Sequence, residues 1–359
     1  MSDQRVIIGN SLRVLKELEP ESIDVCVTSP PYWGLRDYGS EPEIYGGDDA
    51  CAHEWSEHRE PARGGIGKTA NVGANKDGVA NNRGHPTITA YCTKCGAWRG
   101  QLGLEPTPQE YIEHLCGIFD EVARVLKPTG ACWVNLGDTY NGAKTGNTET
   151  EKNPKANADT FKKSLLPGIG KKSLLQIPAR FAIAMCDRGW ILRNEIIWHK
   201  PNVMPQSVKD RFTVDHEKFY FFTKEPTYYF NQVKEPALRP TSKGNTYGGQ
   251  KNGNDNHNYS GRSYTADGSR NARTTWSIPT KASGEDHCAM FPPALIDIPI
   301  RACCPPGGTV LDPFCGSGTT LEYCRMHDIN GVGIEINPRF KEIIDRRSLA
   351  NIGKLEAYE

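Results

Sequence analysis

The chain predicts an α/β fold, a doubly wound and mostly parallel sheet with helices on both faces. Three observations carry this expectation. Apolar runs of strand length alternate with segments whose apolar residues recur at helical spacing. Glycine and proline punctuate the boundaries between them. Near the C-terminal end, a strand runs through a glycine turn straight into a helix, from Val310 through Gly316 and Gly318 to Thr320, the connection that a βαβ unit uses.

The elements follow in order. Residues 6–8 (VII) read as a strand, Gly9-Asn10-Ser11 as a turn, and the chain to about Leu18 as a helix. Residues 23–29 form a second apolar strand, which Pro30-Pro31 ends because proline has no N–H for the ladder. Thr107-Pro108-Gln109-Glu110 is a capping box with proline at the first helical position, so a helix starts there. Ile112, Leu115, Phe119, Val122 and Leu126 continue it at helical spacing, and Lys127-Pro128-Thr129-Gly130 stops it. Residues 131–136 are a buried strand, 177–188 a helix, and RNEIIWHK (193–200) and EKFYFFTK (217–224) two more strands. Strand TVLD, a helix from about Thr319, strand INGVGIEI and a helix after Pro338 close the series.

Between these elements lie polar stretches at 40–105, 141–173 and 231–276. With 37% hydrophobic residues, 36 Gly and 25 Pro, the composition predicts one compact domain over 1–359 interrupted by these segments. The 43 basic and 43 acidic residues cancel, so any nucleic-acid contact must come from a local basic patch. No apolar run approaches the roughly 20 residues of a membrane span, and the start MSDQRVIIGN is unlike a signal peptide. A cytoplasmic protein of bacterial, archaeal or phage origin is expected. Its 12 cysteines then read as reduced thiols or metal ligands.

The turn at 312–319 is the strongest functional signal. Its glycines allow a ligand close to the backbone, and the helix N-terminus favours negative charge. Glu335 ends the next strand, about 20 residues on, where a carboxylate can accept from ribose hydroxyls. This spacing fits any adenosine-bearing cofactor. For NAD, the last glycine of the dinucleotide fingerprint is replaced by Leu321.

Ser29-Pro30-Pro31-Tyr32-Trp33 follows a buried strand. Two prolines leave a rigid row of carbonyl oxygens with the Ser29 hydroxyl beside it and an aromatic ring next. A planar base could donate its exocyclic amino hydrogens to the Pro30 carbonyl and Ser29 Oγ while Tyr32 stacks on its face. Such acceptors would turn the nitrogen lone pair out of conjugation and aim it at a methyl donor, with no covalent nucleophile. Cys304-Pro305, the one Cys-Pro pair, reads as a turn.

Cys51-Ala52-His53 and Cys92-Thr93-Lys94-Cys95-Gly96 place four soft ligands in two close pairs, as a closed tetrahedral zinc site requires. The segment around them has too few apolar residues for a core, so zinc would supply its folding energy. His58 and His85 are substitute ligands or plain loop residues. In 231–276, seven basic residues stand against three acidic ones, a net of +4, with Gly, Asn, Ser and Tyr interleaved. The composition fits either a solvated loop or a phosphate-binding patch; Arg239, Arg262, Arg270 and Arg273 are the candidate contacts to duplex DNA, alongside Trp33. Lys200 either borders the pocket or is a surface lysine. The 141–173 stretch carries seven lysines and reads as a flexible basic loop.

The two motifs resemble those of the amino-group DNA methyltransferases, the N4-cytosine and N6-adenine enzymes. The catalytic motif comes first and the cofactor motif last, as in the circularly permuted β class. The resemblance also covers VARVLKPTGACWVNLGD, IIWHKPN and the run from His287 to Thr320. It implies a seven-stranded class I fold and S-adenosylmethionine as cofactor. It further implies that Asn10, Phe291, Pro292, Asp312, Pro313, Phe314, Gly316, Gly318, Thr319 and Glu335 surround that cofactor, and that residues 231–276 recognise the target. Asn10 stands where the family usually has Asp, so weaker cofactor binding is expected. Ser before Pro-Pro-Tyr is commoner in the N4-cytosine enzymes, which favours cytosine over adenine. Related Pro-Pro-Tyr motifs also serve protein glutamine and RNA bases, and an inactive DNA-binding relic would keep the same fold. A cognate restriction endonuclease and a homodimer are the protein partners to test for.

Overall fold

The structure, a computed structural model, describes residues 2–35, 40–59, 88–142, 144–145, 161–162, 165–236, 269–280 and 291–350. In chain order the elements are β1 (Gln4–Ile8), α1 (Ser11–Glu17), β2 (Ile23–Thr28), β3 (Glu43–Tyr45), β4 (Trp55–Arg59), β5 (Ile88–Cys92), β6 (Trp98–Gly100), α2 (Pro108–Val125), β7 (Leu126–Leu136), β8 (Lys144–Thr145) and β9 (Phe161–Lys162). Then come α3 (Ile177–Asp187), β10 (Ile191–His199), β11 (His216–Thr223), β12 (Lys234–Pro236), β13 (Ser269–Asn271), β14 (Thr275–Ser277), α4 (Pro293–Cys303), β15 (Thr309–Asp312), α5 (Thr319–Met326), β16 (Asn330–Glu335) and α6 (Arg339–Ala350).

The central sheet runs β1-β16-β15-β2-β7-β11-β10-β14. Only β11 opposes its neighbours; the other pairings are parallel. The resemblance implies seven strands, and the eighth is β14, three residues alongside the end of β10. Period-two alternation distributes each strand between the two faces. Cys132, Val134, Tyr220 and Phe222 pack towards α1, α2 and α3, while Ala131, Trp133, Phe219 and Phe221 pack towards α4 and part of α5. Burial on both sides explains why β2 is inaccessible along its whole length.

The capping box at Thr107 forms as expected: Glu110 N donates to Thr107 Oγ1 at 3.2 Å and Thr107 N to Glu110 Oε2 at 3.1 Å. The strand after α2 differs from expectation, since β7 begins at Leu126 and runs through Lys-Pro-Thr-Gly. Its register against β2 jumps from Ile23↔Leu126 to Val25↔Ala131, so the proline sits in an irregularity where the ladder needs no donor.

The first insertion contains its own antiparallel sheet, β3-β6-β5-β4. It docks on α2 through Tyr45 and Trp98, which stack on His114 with ring centres 5.3 and 5.4 Å apart. Among the described residues, no helix is long and apolar enough to cross a membrane.

Candidate active site

The chain leaves β15 towards β16 on one side, and β2 towards β7 on the other, so the strand order reverses between β15 and β2. Ligands bind at such switch points, beyond the carboxyl ends of the strands. Val310 and Leu311 lie beside Val25 and Cys26 in parallel register. This brings the segments after Thr28 and after Asp312 side by side, although they are far apart in sequence.

Asp312 clamps the two. One carboxylate oxygen accepts from Thr28 Oγ1 at 2.6 Å, and the other from Thr320 Oγ1 at 2.6 Å. The first also accepts from Phe314 N at 3.1 Å. The side chain is 1% exposed, and burial pushes its carboxyl up to about 6 against the pull of these hydrogen bonds. Asp312 therefore lies beneath the cleft and binds its strands together; it does not line the cofactor space as expected from sequence.

Above it opens a cleft lined mainly by apolar side chains with a few polar groups, the character of a small-molecule site. Of the residues expected around the cofactor, Asn10, Phe291, Pro313, Phe314, Gly316, Thr319 and Glu335 line it. Ser29 and Pro31 line the same cleft. Pro30, Tyr32, Pro292 and Gly318 are off this wall. Pro292 is the N-cap of α4. Gly318 is the N-cap of α5 at φ 84°, and a Cβ there would come within 3.0 Å of Ile344.

Gly316 is different. At φ 52° a Cβ would meet nothing within 4 Å, so this backbone faces open space and admits a ligand. Its N–H donates to Glu335 Oε2 at 2.9 Å, and Asn337 N donates to Glu335 Oε1 at 2.8 Å. Burial raises the Glu335 carboxyl to about 7, with the two backbone donors acting the other way. Each oxygen keeps acceptor capacity for a hydroxyl. Phe314, Ile336 and Phe340 supply apolar wall nearby. An apolar slot, a glycine backbone open to the cleft and a buried carboxylate fit an adenosine-bearing cofactor. Asn10 spends its side-chain oxygen on the α1 cap, accepting from Leu12 N at 2.9 Å and Arg13 N at 3.3 Å, and turns its amide nitrogen to Tyr45.

At the opposite end, Ser29 Oγ donates to the Tyr32 hydroxyl at 3.1 Å. That hydroxyl is 2.8 Å from both Asn135 Oδ1 and Glu217 Oε2. A phenol has one proton, so it donates to one of these at a time. Lys200 pairs with the other oxygen of Glu217 and lies over Trp198, 4.3 Å from the ring centre. Gly137 lets the Tyr32 ring approach its backbone; a Cβ there would fall 2.6 Å from the ring. Tyr111 donates to the Pro31 carbonyl at 2.8 Å. Asn135 and Glu217 escaped the sequence reading, because the strands that carry them gave no sign of which face looks towards Tyr32. Asn135 lies within a run that resembles the family, the one available signal.

Three expectations about DNA contacts change. Trp33 is 4% exposed and donates to the Glu105 carbonyl at 2.9 Å, so it packs in the core and cannot reach DNA. Lys200 is held by Glu217 and is not among the residues that line the cleft. Arg270 and Arg273 both donate to Glu235 Oε1, at 2.8 and 2.6 Å, at the β12–β13 pairing, so their charge is partly balanced. Arg239 and Arg262 lie outside the described residues.

Cys51, His53, Cys92 and Cys95 do come together, with all ligand atoms within 4.8 Å of one another. Cys51 and Cys92 Sγ are 3.9 Å apart, and Cys95 Sγ is 3.4 Å from His53 Nδ1.

A family model of the N6/N4 methyltransferase type, described as DNA methylase, matches residues 23–346. The chain is 31% identical over 348 residues to the type II methyltransferase M.SmaI of Serratia marcescens, covering 96% of this chain and 90% of that protein. It is 33% identical over 339 residues to the type II methyltransferase M.Cfr9I of Citrobacter freundii, covering 94% and 85%. Among solved structures it resembles PvuII DNA methyltransferase, described as cytosine-N4-specific, with a TM-score of 0.53 at 16% identity over 97% and 93% of the chains. It also resembles a DNA modification methylase of Thermus thermophilus, described as putative and complexed with S-adenosyl-L-methionine, with a TM-score of 0.51 at 18% identity over 98% and 95%. These last two likenesses are of fold, the class I S-adenosylmethionine-dependent methyltransferase fold.

Proposed function

The chain belongs to the N6/N4 family of DNA methylases, and on that premise we propose that it methylates the N4 amino group of a cytosine flipped out of duplex DNA. The observation that carries this reading is that Ser29 and Pro31 line one cleft together with Gly316 and Glu335.

S-adenosylmethionine, when bound, supplies an electrophilic methyl group on a cationic sulfur. The Gly316 backbone admits its adenosine and Glu335 accepts from the ribose hydroxyls. Asn10, Phe291, Pro292, Pro313, Phe314, Gly318 and Thr319 shape or support that end.

Ser29 and Pro30 receive the target amino group. Because Ser29 gives its own proton to Tyr32, its lone pairs are left to accept from the amino hydrogens. That interaction localises the nitrogen lone pair and orients it for in-line attack. Tyr32, fixed by Asn135 and Glu217, holds the base. The same chain, Ser29 to Tyr32 to Glu217, gives the proton released after transfer a path to a carboxylate.

Serine in first place supports cytosine. Residues 231–276, with Arg239, Arg262, Arg270 and Arg273, take the DNA-recognition role. Residues 40–105 form an inserted module in which Cys51, His53, Cys92 and Cys95 hold a structural zinc ion, and the type II character of the relatives supports a companion endonuclease.

The test is incubation with genomic DNA and labelled S-adenosylmethionine, then digestion to nucleosides and mass spectrometry. Label in N4-methylcytosine is expected. Label in N6-methyladenine would overturn the choice of base, and labelled RNA or protein with unlabelled DNA would overturn the substrate.

A further inference from the structure

We propose that a zinc ion held by Cys51, His53, Cys92 and Cys95 fixes one wall of the cofactor cleft, so that loss of the metal weakens cofactor binding more than it weakens methyl transfer. The inference rests on the cleft being the S-adenosylmethionine site.

The donor set suits zinc. In a tetrahedral site with bonds of about 2.0–2.3 Å, ligand atoms stand roughly 3.3–3.8 Å apart; here two of the pairs lie at 3.4 and 3.9 Å and all four atoms within 4.8 Å of one another. Two tight turns deliver the ligands. Gly96, at φ 74°, closes the knuckle with its N–H on the Cys92 carbonyl at 2.9 Å. In the other turn, Cys51 N donates to the Asp48 carbonyl at 3.0 Å. Cys51, His53 and Cys95 lie in connections of a sheet of short strands, β3 to β6, and Cys92 is the last residue of β5. Its large buried side chains, Tyr45 and Trp98, face α2 and give the ligand turns no core. Metal ligation is what would hold those turns in place.

The connection to the cleft is short. Tyr45, the last residue of β3, is 4% exposed and lines the cleft. Its hydroxyl receives the Asn10 amide at 3.5 Å, at the cap of α1. Two residues on, the chain passes so close to the knuckle that a Cβ on Gly47 would be 2.9 Å from Cys95 Sγ and 2.5 Å from the Ala97 Cβ. Gln101 and Leu102, just after β6, line the same wall, and Gln101 Nε2 ties the segment to the Ser40 carbonyl at 2.7 Å. The wall thus begins and ends on strands that flank the metal turns. The base end has direct anchors of its own, Tyr111 on α2, Asn135 on β7 and Glu217 on β11, besides the bonds of Gly34 N and Trp33 Nε1 to the Gly103 and Glu105 carbonyls at the end of the insertion.

The experiment measures zinc content of the whole protein by mass spectrometry and S-adenosylmethionine affinity by calorimetry. Three states are compared: as purified from zinc-supplemented medium, chelator-stripped, and zinc-restored. Expected are one zinc per chain and an affinity about tenfold weaker after stripping, as follows if the wall is formed in about a tenth of metal-free molecules. Zinc should restore it, while kcat at saturating cofactor changes by less than about threefold. Tyr45→Ala keeps all four ligands and separates the wall from the metal: full zinc content with similarly weakened cofactor binding is expected. Protein without zinc would overturn the site. Unchanged affinity in both the stripped protein and Tyr45→Ala would overturn the coupling. Zinc-loaded wild type that binds no S-adenosylmethionine would overturn the cofactor reading and this inference with it.

Discussion

At the cofactor end of the cleft, Gly316 and Glu335 belong to one β-α-β unit and are joined by a direct hydrogen bond. At the base end, Ser29 and Tyr32 depend on Asn135 and Glu217, which arrive on β7 and β11 from far along the chain. The first end is a local motif whose geometry the backbone itself sets. The second is a network assembled across the sheet, in which one phenol is shared among three partners. The contrast teaches that the two ends are built from different kinds of contact, so on the proposed function binding and chemistry should be separable and each end should fail in its own way.

The largest effect is expected from Tyr32→Ala. Loss of the ring and of its hydroxyl should lower methyl transfer by about a hundredfold or more, while calorimetric cofactor affinity stays within about threefold. A parallel fall in cofactor affinity would break the separation of the two ends.

Glu335→Gln tests the other end. Replacing a charged acceptor should weaken S-adenosylmethionine binding by about tenfold, with kcat at saturating cofactor preserved. A fall in kcat at saturation would show that the carboxylate also aligns the methyl group.

The same residue sharpens the comparison through pH. Its folded-state value of about 7 lies above the ordinary 4.5. The free protein therefore keeps a proton there that the unfolded chain has released. Stability from this group is full below about 4.5 and lost as pH rises through about 7. Cofactor affinity runs the opposite way, because ribose hydroxyls need the ionised acceptor. Between about pH 6 and 8 it should rise several-fold, up to about tenfold, and in Glu335→Gln the profile should be flat. Calorimetry across that range checks both.

The smallest effect is expected from Arg273→Ala. The arginine is exposed and already shares Glu235 with Arg270, so duplex affinity should fall only about twofold, with a salt slope reduced by less than one charge. A change of tenfold or more in a gel-shift titration would show that Arg273 exchanges Glu235 for a phosphate when DNA binds.

Legibility follows the same division. The strand–turn–helix at 310–320 and the acidic residue at the end of the next strand could be read directly, because glycine, strand ends and caps act over a few residues. The Ser-Pro-Pro-Tyr motif could be read too, since two prolines impose their geometry locally. Trp33, Asp312 and Lys200 show the limit. Each has the chemistry for the expected role, but Trp33 turns into the core, Asp312 turns under the cleft to clamp Thr28 and Thr320, and Lys200 meets Glu217.

By itself, the sequence determined the alternation of elements, the α2 capping box, the two motifs and the two Cys-containing pairs at 51–53 and 92–95, all features governed by period and by neighbours along the chain. Tertiary structure decided which motifs meet, since the parallel pairing of β15 with β2 alone places Asp312 against Thr28. It also decided which carboxylate is structural and which faces the cofactor space, and that an inserted sheet walls the cleft. Those outcomes depend on strand order and on the face each side chain takes, which no local pattern specifies.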